Sequence, residues 1–339
     1  MSDPQMSDPQ KSHPQRSRPQ KSHPQKSHPQ KSQAQRSRPQ KSGELARKKF
    51  REISIININP LFCSVKTIEL QSEVSEFTLN DQLKERWQEA IENSIPLFIN
   101  YVESGVEYVC IKDYKKTYFL NLPNVPKNLE EMIIVRCWMQ KLFNCSFKHA
   151  SFDRSVFNPE MINILFTNDR AIPLQFNIQD AILSPISTHL CGDTLKFASN
   201  HLSISESLDI NLKYAGNTDQ YLNVLFNIII NVGNKIPKIR LRIFELTQLY
   251  DLIVEYIITS KDCSKMIPII ILNSTSSPNF KLNERAENVE INQSDYVKYT
   301  TFQLANIYNP TVRFAFFNVE SNNESVFFNH IKIMKKSGI

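Results

Sequence analysis

Apolar and polar residues alternate with two periods along the chain, and the longer period predicts helices. The clearest helix covers residues 80–94, where charged side chains lie off an apolar stripe and Pro96 ends the pattern. Asn128, followed by Glu131, forms a capping-box-like start for a second long helix. The stripe of the first helix consists of Leu83, Trp87, Ala90, Ile91 and Ser94. The predicted helices are 43–50, 80–94, 128–143, one beginning near 158, 218–231 and 246–259.

Strands are predicted where β-branched and aromatic residues form short runs between turn-forming residues. Residues 108–112 and 117–122 flank the polar turn 113–116, and this pattern indicates a β-hairpin. The other strands predicted before residue 290 are 52–58, its neighbour 64–70, 145–152, 174–182, 208–214, 238–244 and 267–272.

Strands and helices alternate after Pro126, and successive strands begin roughly 29 to 33 residues apart. Right-handed crossovers align such strands in a parallel sheet with helices outside it. We therefore predict an α/β domain over residues 43–290, an irregular strand–helix repeat that is leucine-rich-repeat-like and has a largely parallel sheet. The units share no sequence consensus, so a single α/β domain of ordinary type is the alternative.

The pattern changes in residues 291–339, where strand-like runs follow each other without helices. Asn309-Pro310 and Asn322-Asn323 supply turns between them. We predict an antiparallel β meander that packs on the same domain and covers the open edge of its sheet. Its six phenylalanines fit either base stacking or one buried face, and their alternation favours burial. The three runs are 299–307, 312–319 and 326–334.

The N-terminal tail, residues 1–42, begins with eight pentads in register. Serine stands second in each pentad and proline fourth, except at Ala34. This segment has almost no apolar surface to bury, and regularly spaced proline removes backbone donors that helices and sheets need. We predict a disordered chain with a polyproline-II bias.

The net positive charge of the protein is confined to this tail. Nine of the 40 Lys and Arg and two of the 34 Asp and Glu lie in it, which leaves 31 basic and 32 acidic residues in the remainder. The tail is therefore the candidate site for nucleic acid or another polyanion, and a merely solvated repeat is the simpler interpretation. The basic residues are Lys11, Arg16, Arg18, Lys21, Lys26, Lys31, Arg36, Arg38 and Lys41.

The sequence contains no motif of a known catalytic or cofactor site. Phosphate-binding loops need closely spaced glycines, and no two glycines are closer than Gly216 and Gly233. No GxSxG motif is present. We therefore predict a protein with no catalytic residues and no cofactor.

Metal-ligand spacing occurs only in two isolated groups of residues. His149 and Asp153 are four residues apart, and His189 lies near Cys191 and Asp193. Neither group has a further ligand nearby in sequence, so no metal site is predicted.

Six scattered cysteines without a CxxC motif indicate free thiols in a reducing compartment. The N-terminal residues form no apolar signal-peptide core, and no apolar run approaches the about 18 residues that span a membrane. We expect a cytoplasmic or nuclear protein that does not bind membranes.

Many short segments outside the tail share a pattern with known proteins. They are GELARKKFREISI (43–55), LNDQLKERWQEAIENSIPLF (79–98), LPNVPKNLEEMIIVRCWMQKLFNC (122–145), FNPEMINILF (157–166), NHLSIS (200–205), TSKDCSKM (259–266), NFKLNERAENVE (279–290) and NIYNPTVRF (306–314). These segments resemble the lineage-expanded F-box-type family of plant-parasitic root-knot nematodes. The resemblance covers about residues 43–335 and involves no catalytic residue.

The resemblance implies a protein-recognition region. Such proteins begin with an F-box that docks on the Skp-type adaptor of a cullin ubiquitin ligase, and their C-terminal region selects a target. Pentad repeats stand here where the F-box would be, which argues against binding of the adaptor. We expect a non-enzymatic module that binds an unknown protein target. The alternatives are a polyanion-binding protein acting through the tail and an enzyme with an unfamiliar site.

Overall fold

The structure is a computed structural model of the 339-residue chain. It describes residues 48–58, 67–68, 79–100, 105–167, 172–215, 219–245, 247–275, 281–294, 296–323 and 326–336.

The described residues form helices and strands that alternate over most of the chain. The helices are α1 (Asp81–Glu92), α2 (Leu129–Phe143), α3 (Pro159–Leu165), α4 (Thr188–His201), α5 (Leu222–Asn231) and α6 (Thr247–Thr259). The strands are β1 (Lys49–Ile58), β2 (Phe98–Asn100), β3 (Val106–Lys112), β4 (Thr117–Leu120), β5 (Ser146–Phe152), β6 (Ser155–Phe157), β7 (Phe176–Leu183), β8 (Leu202–Asn211), β9 (Lys238–Ile243), β10 (Ile269–Ser274), β11 (Glu287–Gln293), β12 (Val297–Ala305), β13 (Arg313–Asn323) and β14 (Val326–Lys335).

Twelve of the described strands form one mixed sheet in the order β11-β12-β13-β14-β10-β9-β8-β7-β5-β1-β3-β4. Strands β1, β5, β7, β8, β9 and β10 are parallel and follow each other across the sheet in chain order. This confirms the predicted α/β class and its series of parallel strands. These six strands begin at residues 49, 146, 176, 202, 238 and 269, so the spacing between units is uneven.

The C-terminal strands are antiparallel, as the turns in the sequence predict. Strand β14 pairs with β13 on one side and with β10 on the other, so it continues the sheet past β10. The exposed strand β11 adds a fourth strand that the sequence pattern did not indicate, because none of its side chains is buried.

Helix starts follow the capping residues in the sequence. Asn80 accepts a hydrogen bond from the Leu83 N–H at 2.8 Å, and Asn128 accepts one from Glu131 at 2.9 Å. The Glu131 carboxylate accepts from the Lys127 N–H, one residue before the cap. Each such cap stabilises its helix by ~1 kcal/mol.

Aromatic rings fill the core between the first four helices and the sheet. The Phe176 ring of β7 lies 4.9 Å from Phe143 of α2, 5.1 Å from Phe157 of β6 and 5.9 Å from Phe197 of α4. These four rings are buried, and burial of one phenylalanine stabilises a fold by roughly 1.5 to 3 kcal/mol.

The predicted helix 43–50 is wrong over its described part. Lys49 and Phe50 begin strand β1, because the Phe50 ring is buried against Tyr118 of β4 and Phe147 of β5. Residues 43–47 lie outside the described residues.

Three further details of the sequence prediction are corrected. Strand 64–70 is not the neighbour of β1, which pairs with β3 and β5; Thr67 bridges Phe119 of β4, and most of the segment lies outside the described residues. Ser94 is not on the helix face, because α1 ends at Glu92 and Ser94 has φ 52°. Helix α4 was missed altogether.

No helix of the described residues has the length and apolar character needed to cross a membrane.

Candidate functional site

One face of the sheet is lined by polar side chains. Right-handed crossovers between parallel strands in chain order place the connecting helices on one side of a sheet. On that side, cross-strand partners form a continuous buried row. The row is Ile53, Ala150, Ala181, Leu208, Ile239, Ile270, Ile333, Phe316 and Phe302. We call the opposite side the helix-free face.

Strand alternation assigns side chains to the helix-free face. In β9, Ile239 and Leu241 are buried, whereas Lys238, Arg240 and Arg242 are half-buried and point the other way. Basic side chains thus occupy every outward position of this strand.

Strands β1, β5 and β7 share an irregularity that turns extra polar side chains outward. In each strand two consecutive polar residues separate two buried ones, as Lys148 and His149 do between Phe147 and Ala150. The corresponding pairs are Arg51-Glu52 in β1 and Gln179-Asp180 in β7. Strand β8 shifts register at the same level.

A polar row crosses the helix-free face at this level. Lys112 of β3, Glu52 of β1, His149 of β5, Asp180 of β7 and Ser207 of β8 are successive cross-strand partners. The Lys112 Nζ lies 2.7 Å from the Glu52 Oε1, the His149 Nδ1 lies 3.8 Å from the Asp180 Oδ2, and the Ser207 hydroxyl donates to the Asp180 Oδ1 at 2.5 Å.

The order of these groups differs from that of a hydrolase triad. In a triad the histidine lies between serine and carboxylate and accepts the serine proton. Here Asp180 lies between His149 and Ser207, so the serine donates to the carboxylate and not to the histidine. The polar row offers hydrogen-bonding groups and no activated serine.

A cavity of about 580 Å³ opens beside this row at the N-terminal ends of the parallel strands. Hydroxyl, amide and lysine side chains line it, together with the exposed Tyr114 of the β3–β4 turn. Its lining residues are Lys49, Phe50, Tyr114, Ser146, Phe147, Lys148, Asn177, Ile178, Gln179, Ser203 and Ser205.

A buried carboxylate organises two arginines further along the face. The Asp209 Oδ2 of β8 lies 2.6 Å from the Arg242 Nη2 and 3.1 Å from the Arg240 Nη1. The Asp209 side chain is only 9% exposed, whereas the arginines are about 40% exposed. Burial of a carboxylate is costly unless it is paired, so Asp209 fixes both guanidinium groups while their outer edges remain open to solvent.

Further basic groups lie on β14, which is separated from β9 by β10. Lys332 shares a cross-strand row with Arg240, and His330 shares one with Arg242. The His330 Nδ1 lies 2.7 Å from the Asn273 Oδ1 of β10. Burial lowers the pKa of His330, and the nearby charges of Arg240 and Lys332 lower it further. The region is therefore electropositive at neutral pH.

Exposed apolar side chains lie on the same face. Four such side chains, three of them aromatic, are each more than a third exposed. The exposure of Phe317 and Phe328 contradicts the prediction that the meander phenylalanines share one buried face. Phe302, Phe314 and Phe316 are buried as expected. The exposed group consists of Ile182, Tyr299, Phe317 and Phe328.

The structure describes only some of the candidate residues identified from sequence. The nine basic tail residues lie outside the described residues. His149 pairs with Asp180 instead of Asp153. Within the described ranges, no three His, Cys, Asp or Glu side chains are grouped as metal ligands.

None of the five cysteines that the structure describes forms a disulfide. Burial raises the pKa of Cys191 to about 11 and also raises the pKa values of Cys110 and Cys263. These three thiols are therefore protonated at neutral pH and are poor nucleophiles.

One comparison with known proteins found a match to part of the chain. A family model described as a domain of unknown function, DUF8381, matches residues 68–213. The matched segment carries α1 to α4 and the part of the polar row on β3, β5, β7 and β8, but it ends before Arg240 and Arg242. No curated protein and no solved structure matches the chain.

Proposed function

We propose that this protein is a non-enzymatic protein-recognition module whose partner binds the helix-free face. The observation that carries the proposal is the extent of this face: polar, basic and exposed aromatic side chains lie in register from β3 to β12. Stable interfaces need about 800 Å² on each partner and are enriched in arginine and aromatic residues.

The proposal includes the resemblance to the target-binding region of F-box-type ubiquitin-ligase adaptors. Parallel strands in chain order, with helices on one side, are the arrangement of leucine-rich-repeat-like solenoids, which bind partners on an extended surface. The repeat character stays a prediction, because the units are unequal in length. The proposal includes a cytoplasmic or nuclear location, with which the absence of a disulfide among the five described cysteines agrees.

The proposal is tested by quantitative affinity purification of the full chain followed by mass spectrometry. Ile182→Arg adds one positive charge at an exposed apolar site of the helix-free face. The control Lys196→Glu changes the charge by two units at an exposed position of α4. We expect Ile182→Arg to remove at least four-fifths of the specific partner, whereas Lys196→Glu retains it. Thermal melts of both variants check that they fold.

Two results would contradict the proposal. Equal recovery of partners by both variants would place binding elsewhere on the molecule. Stoichiometric recovery of the Skp-type adaptor would show that ligase docking survives without a recognisable F-box.

The second candidate function, polyanion binding through the tail, is supported by the nine basic residues in 1–42. It predicts RNA or DNA binding that weakens steeply with salt and is lost on deletion of residues 1–42. Binding that survives this deletion at low salt would exclude the tail as its site.

A further inference from the structure

The helix-free face carries a basic cluster, which consists of Arg240, Arg242, His330 and Lys332. Both arginines share Asp209, as described above, and therefore have fixed positions. Lys332 has no ion-pair partner in the part of the chain that the structure describes. Three permanent positive charges thus face one carboxylate, and the cluster has a local surplus of two.

Apolar side chains border the cluster on its β13 side. Phe317 is the cross-strand partner of Lys332, and Val319 is the partner of both His330 and Tyr299. The Phe328 ring stacks on His330 with centroids 6.2 Å apart. Lys332 therefore lies one strand spacing, about 5 Å, from Phe317, and the arginines of β9 lie three spacings, about 15 Å, from β13.

We infer that the basic cluster binds an acidic segment of the partner protein, with two carboxylates on Arg240, Arg242 and Lys332 and a neighbouring apolar side chain on Phe317. This inference rests on the proposed function and names the chemistry of the segment that the face receives. Arginine forks bind carboxylates through paired charge-assisted hydrogen bonds, and the Asp209 contact holds both forks in place before binding.

The charges on the rest of the face favour a peptide over a nucleic acid. A surplus of two charges balances two carboxylates, whereas a nucleic-acid strand adds a negative charge with every nucleotide. Such a strand would also meet Asp180, Glu52 and Glu206 elsewhere on the helix-free face. The chain outside the tail has one more acidic than basic residue, so it provides no long-range attraction for a polyanion.

His330 provides a direct readout of binding. The groups around it are Arg240 on β9, Asn273 on β10, Val319 on β13 and Lys332 on its own strand. A bound carboxylate offsets the positive field of Arg240 and Lys332, so the pKa of His330 rises on binding.

The experiment uses the full chain and a fluorescein-labelled peptide of alternating Glu and Leu. Affinity is measured by fluorescence anisotropy, and the His330 pKa by NMR titration, with the resonance assigned from the His330→Gln variant. We expect the peptide to raise the His330 pKa. We expect Lys332→Ala and Phe317→Ala each to weaken binding ~fivefold, the effect of losing one charge-assisted or apolar contact. The control Lys196→Ala, which removes an exposed lysine on α4, leaves affinity unchanged.

Three outcomes would overturn the inference. Peptide binding that leaves the His330 pKa and both variants unchanged would place the peptide on the basic tail. No binding would remove the cluster as an acidic-peptide site. A single-stranded RNA that raises the His330 pKa at a tenfold lower concentration would make nucleic acid the occupant. In each case the Ile182→Arg purification still decides the proposed function separately.

Discussion

His201 is a buried titratable residue at the end of α4. Its Nδ1 lies 2.9 Å from the Leu174 carbonyl oxygen, and its ring packs 6.1 Å from Phe197. The Nε2 is buried and has no hydrogen-bond partner in the described residues. Burial lowers the pKa of His201, and Lys235 lowers it further, although the Leu174 carbonyl acts in the opposite direction.

This environment predicts a pH dependence of stability. Because the folded pKa lies below the unfolded value of about 6.5, the unfolded state takes up a proton first as pH falls. The free energy of unfolding therefore decreases from pH 7.5 to pH 5, measured by urea denaturation. His201→Asn removes part of this decrease, and His330→Gln, whose pKa is also lowered, removes another part. An unchanged slope in the double variant would contradict the assignment.

Cysteine alkylation tests the burial of the thiols. Cys191 is fully buried with a pKa raised to about 11, whereas Cys137 on α2 is half-buried. We expect iodoacetamide at pH 7.5 to label Cys137 at least tenfold faster than Cys191 in the native protein, because only an accessible thiolate reacts. The difference disappears in urea. Peptide mass spectrometry gives both rates, and rapid native labelling of Cys191 would contradict its position in the core.

The turn between α5 and β9 depends on one glycine. The Gly233 N–H donates to the Lys265 carbonyl at 2.8 Å, and a Cβ at this position would lie 2.4 Å from the Met266 carbonyl oxygen. Gly233→Ala therefore forces two backbone segments apart.

We expect Gly233→Ala to lower the free energy of unfolding by about 2 kcal/mol, measured by urea denaturation. The matched control is Gly192→Ala in α4, where the new Cβ would lie 3.6 Å from the Tyr221 ring, an ordinary contact. Alanine is the better helix former, so this variant should gain ~0.5 to 1 kcal/mol. Equal effects of the two substitutions would contradict the close approach at Gly233.

Strong periodicity made most elements predictable from sequence. Helix α2 has a cap and a long apolar pattern, and β9 alternates Ile239, Arg240 and Leu241 without interruption. Helix α4 was missed because Gly192 and Thr194 weaken its helical pattern, although Ser187 caps it. Strand β11 was missed because pairing with β12, and not burial, holds it.

The candidate site was less predictable than the fold, because it depends on strand register. His149 and Asp180 become neighbours only when β5 pairs with β7. Asp209 meets Arg240 and Arg242 only through the pairing of β8 with β9. The alternation in β9 does predict that its basic side chains point outward. The carboxylate that pairs with them, Asp209, comes from β8, and the sequence pattern does not show this pairing.

At the scale of the whole molecule, one sheet joins the strand–helix series and the C-terminal strands. Strand β14 is the connection, because it pairs with β10 and β13 over their full lengths. Asn306 strengthens the junction: its amide donates to the carbonyls of Ile257 and Ser260 at the end of α6, and its side-chain oxygen accepts from Tyr308 and Asn309. The helix-free face is therefore continuous across both parts, and a partner can contact them together.

Site-specific photo-crosslinking tests the role of this face most directly. Ile182→p-benzoylphenylalanine places the photoreactive group on the helix-free face, and Lys196→p-benzoylphenylalanine places it on α4. Each full-length variant is irradiated in an extract and its products are identified by mass spectrometry. We predict that one specific protein crosslinks through position 182, is lost on addition of excess unlabelled chain, and does not crosslink through position 196. Crosslinking of that protein through position 196 alone would contradict binding at the helix-free face.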